Sequence, residues 1–168
     1  RAAPHCAELR NAVLTDAMVS GADFGGASLW GADLSGANLT SANLEYANLN
    51  HADLSDVMVY DIYDYELVTD LNHAYLGYAN MTDADLQNVN LQYADLNHAT
   101  LTGANLTKAL LPYADLTNAN LYGADLSGAD LNNANFSGAR LQSANLRNAN
   151  QTGTIFTGAV MPDNVRRR

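Results

Sequence analysis

The chain has 168 residues and a formal net charge of −10, a length that suits one compact unit and is too short for two ordinary domains. No stretch approaches the roughly 18 consecutive apolar residues of a membrane-crossing helix, so no membrane role is expected. The excess of acid excludes broad nucleic-acid binding, which draws its strength from Lys and Arg displacing phosphate counterions.

At the N-terminus, Arg1-Ala2-Ala3-Pro4 is not followed by the apolar run of a signal peptide. Cys6 is the only cysteine, so no intrachain disulfide can form, and it reads as an ordinary thiol within a cap of residues 1–6. From Leu9 onward a large apolar residue returns every five positions: Leu9, Leu14, Val19, Phe24, Leu29, Leu34, and so on to Val59. The same period resumes at Leu71 and runs to Met161, with Gln151 as its one polar centre, for thirty centres in all. Two residues before most centres stands Ala, as at Ala22, Ala84 and Ala124.

A period of five matches neither a helix at 3.6 nor a strand at 2, and a helix would scatter these Leu around its whole circumference. A coil with four five-residue sides gathers them instead, placing one Leu and one Ala inside per side. Gly recurs two places after the centre, at Gly21, Gly36, Gly103 and Gly128 among others, where a corner demands positive φ. Asp and Asn fill the place before the centre, where their side chains bond their own backbone.

Tandem Ala-(Asp/Asn)-Leu-x-x, as in Ala32-Asp33-Leu34-Ser35-Gly36 and Ala37-Asn38-Leu39-Thr40-Ser41, resembles the pentapeptide-repeat family over residues 7–161. The resemblance implies an all-β fold, a right-handed quadrilateral β-helix solenoid. Its centre and centre-minus-two side chains would point inward and the other three outward. Coils of 20 residues stacked at strand spacing make about seven to eight coils and a rod of roughly 36 Å, closed by short caps, the C-terminal one being the tail 162–168.

Val59 and Leu71 are two periods plus two residues apart, so the register breaks inside 62–68, and an enlarged seven-residue side or a small bulge is expected to absorb the slip without stopping the helix. The segment is acidic and aromatic, with Tyr60, Asp61, Tyr63, Asp64, Tyr65 and Glu66, and so joins the candidate partner surface, because aromatic residues enrich interfaces. Two further sets complete that surface. Asp33 and Asp53 fall one coil apart, as do Asp95 and Asp115, setting like charges about 4.8 Å from each other; of the two pairs the first joins the surface. Tyr93 and Tyr113 also stack, with His73 one coil before them, as a contact strip or as cross-strand pairs that stabilise the wall. Trp30 reads as outward and isolated, and His51, His73 and His98 as outward and apart.

No catalytic constellation, phosphate-binding glycine loop, HExxH or calcium-loop pattern occurs, so no enzyme, cofactor or metal is expected. Between Asn11 and Thr107 there is no Lys or Arg against eleven Asp and two Glu. Over nearly five coils that is about one charge per 1.8 Å, near the roughly 1.7 Å per charge of duplex DNA. The first reading is a non-enzymatic structural or protein-interaction module whose unidentified partner has a basic surface. The alternative implied by the resemblance is a DNA-mimicking effector of a type II topoisomerase, protecting or inhibiting gyrase. Exposed backbone at the rod ends makes end-to-end self-association a further expectation. If the start at Arg1 reflects removal of a signal peptide, the periplasm or thylakoid lumen is the expected compartment, and otherwise the cytoplasm.

Overall fold

The computed structural model describes residues 7–59 and 68–162. Within them the backbone forms a continuous series of parallel β-bridges, each joining a residue to its counterpart one coil on. Four columns of bridges define four sides. Side 1 runs through Glu8, Ser28, Asn48, Tyr75, Asp95 and Asp115, and side 2 through Val13, Asp33, Asp53 and Asn80. Side 3 runs through Met18, Asn38, Met58 and Asp85, and side 4 through Asp23, Asn43, Asp70 and Asn90. Corner 1 follows side 1, corner 2 follows side 2, and so on, with corner 4 returning the chain to side 1.

The repeat builds this shape through three backbone hydrogen bonds between coils per five residues, and a fourth within the corner. The Leu14 amide donates to the Asp33 carbonyl (2.7 Å), the Asp33 amide returns to Ala12 (2.9 Å), and the Asp16 amide donates to Ser35 (2.8 Å). The corner closes when the amide of Ala17 donates to the carbonyl of Leu14 at 3.0 Å. Among the described residues, the one two after each centre has positive φ, from 54° at Asn11 to 70° at Gly123. With only that residue in the left-handed region, the corner is a type II turn. Gly, Asn and Asp take most of these places because they tolerate the conformation best.

Inside, the centres and the residues two before them form one core that is essentially dry from Ala27 to Ala144. The end coils are less covered: Leu9, Leu14, Val19 and Phe24 at one end, and Leu146, Phe156 and Met161 at the other, are half-buried. Gln151, the polar centre, lies exposed in the last coil, where it costs no buried hydrogen bond.

Bridges on side 2 step 20 residues from Asp33 to Asp53 but 27 from Asp53 to Asn80, and on side 4 Asn43 pairs with Asp70. Met58 belongs to side 3 and Asp70 to side 4, so one corner alone separates Val59 from Thr69. The excess is therefore seven residues at a single corner, not two in an enlarged side. The readings placed on Tyr60, Asp61, Tyr63, Asp64, Tyr65 and Glu66 lie outside the described residues. Where the chain rejoins the wall, Thr69 takes the inward place that Ala fills on most sides and is buried. Its hydroxyl lies 2.9 Å from the carbonyl oxygens of both Leu39 and Val59; the Leu39 oxygen already accepts from the Ala42 amide, so at Val59 the one hydroxyl proton supplies the donor that a corner amide gives elsewhere.

Candidate functional site

The outward residue before each centre is where the wall carries its charge. An Asp there accepts from the amide two residues on, as Asp23 does from Gly25 (3.0 Å) and Asp70 from Asn72 (2.9 Å). The next coil then often supplies an Asn whose side-chain amide donates back to the carboxylate. Asn43 does so to Asp23, Asn90 to Asp70, Asn105 to Asp85, Asn145 to Asp125 and Asn150 to Asp130, at 2.9 to 3.2 Å. Alternation of Asp with Asn thus replaces charge repulsion between coils with charge-assisted hydrogen bonds. Burial raises the Asp125 carboxyl, but the Ser127 hydroxyl and amide together with Asn145 outweigh it, and the group lies below its ordinary value.

Two places break the alternation. Asp33 bridges to Asp53 on side 2, and Asp95 to Asp115 on side 1. On side 2 the pair is relieved by donors on both flanks. The Ser35 hydroxyl (2.6 Å) and amide (3.0 Å) donate to Asp33, Thr15 adds a bond to its second oxygen (3.0 Å), and Asn80 donates to Asp53 (3.0 Å). Those bonds, the Ser35 hydroxyl foremost, hold the Asp33 carboxyl below its ordinary value. On side 1 the donors among the described residues come only from within each carboxylate's own coil. Asp95 accepts from the Asn97 amide (3.1 Å) and its side chain, and Asp115 from the Thr117 amide (3.0 Å) and hydroxyl (2.5 Å). The Asn of the following coil, Asn135, donates to the Thr117 hydroxyl instead, at 2.9 Å.

Corners 4 and 1 carry rings. At corner 4, Tyr46, His73, Tyr93 and Tyr113 form a stack with centroids 4.8, 4.8 and 5.1 Å apart and planes within 10° of parallel. At corner 1, His51, Tyr78 and His98 stack at 5.2 and 4.7 Å. Trp30 leans onto His51 at 5.4 Å, and the Arg10 guanidinium lies over Trp30 at 5.3 Å. Trp30 is therefore the end of a ring column and not isolated, and His51 and His98 are joined through Tyr78. Among the described residues every Tyr with positive φ belongs to one of these stacks. A bulky residue is disfavoured in that conformation, and ring–ring contact worth about 0.5–1.5 kcal/mol per pair offsets the strain.

The candidate residues thus fall into separate places. Asp33 and Asp53 lie on side 2, and His73, Tyr93 and Tyr113 at corner 4, with side 1 between them. The sequence reading found His73, Tyr93 and Tyr113 at 20-residue spacing but missed Tyr78 with His98 at that same spacing, and Tyr46 with His73 and His51 with Tyr78, which lie 27 residues apart across the long corner. The signal was present: all are two residues after a centre, and counting corners instead of residues aligns them. Among the described residues no group of His, Cys, Asp and Glu is placed to hold a metal ion, and no helix is long and apolar enough to cross a membrane.

The pentapeptide-repeat family model matches in 8 copies, over residues 6–31, 20–56, 69–103, 101–138 and 134–162. The chain belongs to the pentapeptide-repeat family. HetL, a pentapeptide-repeat protein involved in heterocyst differentiation regulation from the cyanobacterium Nostoc sp. strain PCC 7120, is 34% identical to this chain. That match covers 95% of this chain and 76% of HetL, with a TM-score of 0.54. Rfr23, a pentapeptide-repeat protein from the cyanobacterium Cyanothece 51142, is 30% identical over 74% of this chain and 90% of its own, with a TM-score of 0.58. QnrB1, a plasmid-mediated fluoroquinolone resistance protein, aligns at 20% identity over 94% of this chain and 90% of its own, with a TM-score of 0.39. No curated protein gives a significant sequence match.

Proposed function

We propose that this pentapeptide-repeat protein is a non-enzymatic interaction module that holds a partner protein with a basic surface against its acidic portion. The observation that carries the reading is the stretch from Asn11 to Thr107, with thirteen acidic residues and no Lys or Arg. A solenoid maps chain position onto its axis. With right-handed winding and seven to eight coils, that stretch becomes an acidic N-terminal portion more than half the rod long. Such a field raises encounter rates with a basic surface and fades as salt shortens the Debye length to about 3 Å near 1 M. The wall's polar groups support a binding role over a chemical one. The hydroxyls of Ser35, Thr82, Thr107 and Thr117 are engaged by the Asp or Asn two residues before them. A regulatory setting of the kind named for HetL suits a rod that works by contact.

The test is affinity capture on the immobilised chain and on a variant with Asp33, Asp53, Asp61 and Asp64 replaced by Asn. Proteins retained by the parent should be released by salt and held weakly by the variant, with a flatter salt dependence. Equal retention and an equal salt slope would reduce the acid to a solubility device. A gyrase supercoiling assay with both proteins tests the DNA-mimic reading, which the charge spacing favours. Carboxylates on all four sides, Asp95, Asp33, Asp85 and Asp70 for example, count against a single DNA-like stripe. Inhibition by the parent and its loss in the variant would make a topoisomerase the partner.

A further inference from the structure

The two ring columns and the carboxylate pair without an inter-coil donor lie on one side of the rod. Corners 4 and 1 are the two edges of side 1, and Asp95 and Asp115 are in its middle. On successive coils the side reads Tyr46–Asn48–His51, His73–Tyr75–Tyr78, Tyr93–Asp95–His98 and Tyr113–Asp115–Asn118. The rails stand exposed, with Tyr78 at 54%, Tyr93 at 48% and Tyr113 at 52%, while Asp95 and Asp115 between them are half-buried. Within each stack neighbouring ring faces cover one another, leaving the ring edges as the part a partner can meet, and the Asn118 side-chain amide lies 3.5 Å from Nε2 of His98. Stacking already fixes these side chains, so docking against them costs little further ordering.

The charge of this surface selects its occupant. Side 1 and its two corners hold no Lys or Arg beyond Arg10 in the first coil. The second carboxylate oxygens of Asp95 and Asp115 accept no hydrogen bond from a described residue. Two half-buried carboxylates about 4.8 Å apart call for a cation that can reach both. A guanidinium presents five donors in a planar fork and is weakly hydrated, whereas an ammonium is a strongly hydrated point charge. The chain itself supplies the precedent: Arg10 rests against Trp30, the end of one rail. We propose that side 1, between the two ring columns, docks an extended arginine-bearing segment of a partner protein. Its guanidinium groups pair with Asp95 and Asp115 while the ring edges border them. The proposal rests on the acidic-surface reading above and assigns it a side, a residue pair and a partner chemistry.

Fluorescein-labelled hexa-arginine and hexa-lysine peptides, titrated by anisotropy at low salt against the whole chain, test it. Asp95→Asn with Asp115→Asn should weaken hexa-arginine binding by about tenfold or more, as expected for lost hydrogen bonds to charged groups. Asp85→Asn with Asp125→Asn makes the same charge change on the opposite side 3 and should leave affinity within about twofold. Hexa-lysine should bind the parent more weakly than hexa-arginine. Tyr93→Phe with Tyr113→Phe keeps the stack, removes two phenol oxygens and should weaken hexa-arginine alone, at an unchanged thermal midpoint. Equal losses in the two Asp double variants would overturn side 1 as the docking surface and leave the general acidic reading standing. Equal binding of the two peptides would overturn the arginine assignment. If neither peptide binds the parent chain at low salt, both readings fall.

Discussion

Thr69 carries a role that no other buried side chain among the described residues shares. In an ordinary corner the centre's carbonyl is capped by the amide three residues on, as Leu39 is by Ala42 at 2.8 Å. After Val59 the chain runs on for nine residues before the next inward position, and the Thr69 hydroxyl bonds the Val59 carbonyl instead. Thr69→Val preserves shape and removes the donor. Leaving that carbonyl unpaired inside the wall should cost about 1–3 kcal/mol, read as a lower urea midpoint, while Thr69→Ser should retain most of the stability. A Val variant as stable as the parent would show that another donor caps Val59. Thr69 was readable from sequence as the residue two before Leu71. Its partner was not, because finding it requires knowing that Val59 and Leu71 lie on adjacent sides.

At the scale of the element, each ring column is a strain-bearing ladder. Tyr93 has a φ of 58°, a conformation that Asn adopts far more readily. Tyr93→Asn therefore relieves backbone strain, and any loss of stability must come from the rings. Removing contacts with both His73 and Tyr113 should cost about 1–3 kcal/mol, less whatever the backbone recovers. A thermal melt in which Tyr93→Asn matches or exceeds the parent would show that the rings stabilise nothing and serve contact alone. The ladder was half legible in the sequence. His73, Tyr93 and Tyr113 share a 20-residue spacing, but the 27-residue coil hid the continuity of Tyr46 with His73 and of His51 with Tyr78. Trp30 escaped because it stacks from one position earlier in the corner, a lean that only side-chain geometry reveals. The Asp–Asn alternation was legible as composition, and its interruption at Asp95 and Asp115 was written in the spacing. What the spacing could not say was that Asn135 gives its amide to Thr117 instead.

At the scale of the whole molecule, register decides what the chain tolerates. Every coil must present two inward residues per side, and bridges at 27-residue separation beside others at 20 show the wall continuing past one corner with seven residues to spare. Excising residues 62–68 leaves Tyr60 and Asp61 as a two-residue corner between Val59 and Thr69. Asp61 then falls in the left-handed position, which Asp16, Asp56 and Asp83 occupy at other corners. Thr69 falls in its inward place, and every later bridge becomes a 20-residue step. The shortened chain should fold with a thermal midpoint within about 3 °C of the parent, a shift of about 1 kcal/mol for a protein of this size. Excising Tyr122 and Gly123 removes fewer residues but deletes a corner outright, forcing the eight sides that follow, centred on Leu126 to Met161, out of phase. The misplaced coils would bring Asp and Asn toward a channel in which an unpaired polar group costs about 1–3 kcal/mol each, so the midpoint should fall by well over about 10 °C. Comparable losses from the two excisions would mean that residues 62–68 are part of what holds the rod together. A stable chain after the first excision and a broken one after the second would place the excess outside the repeat, free to vary without disturbing the columns on sides 1 to 4.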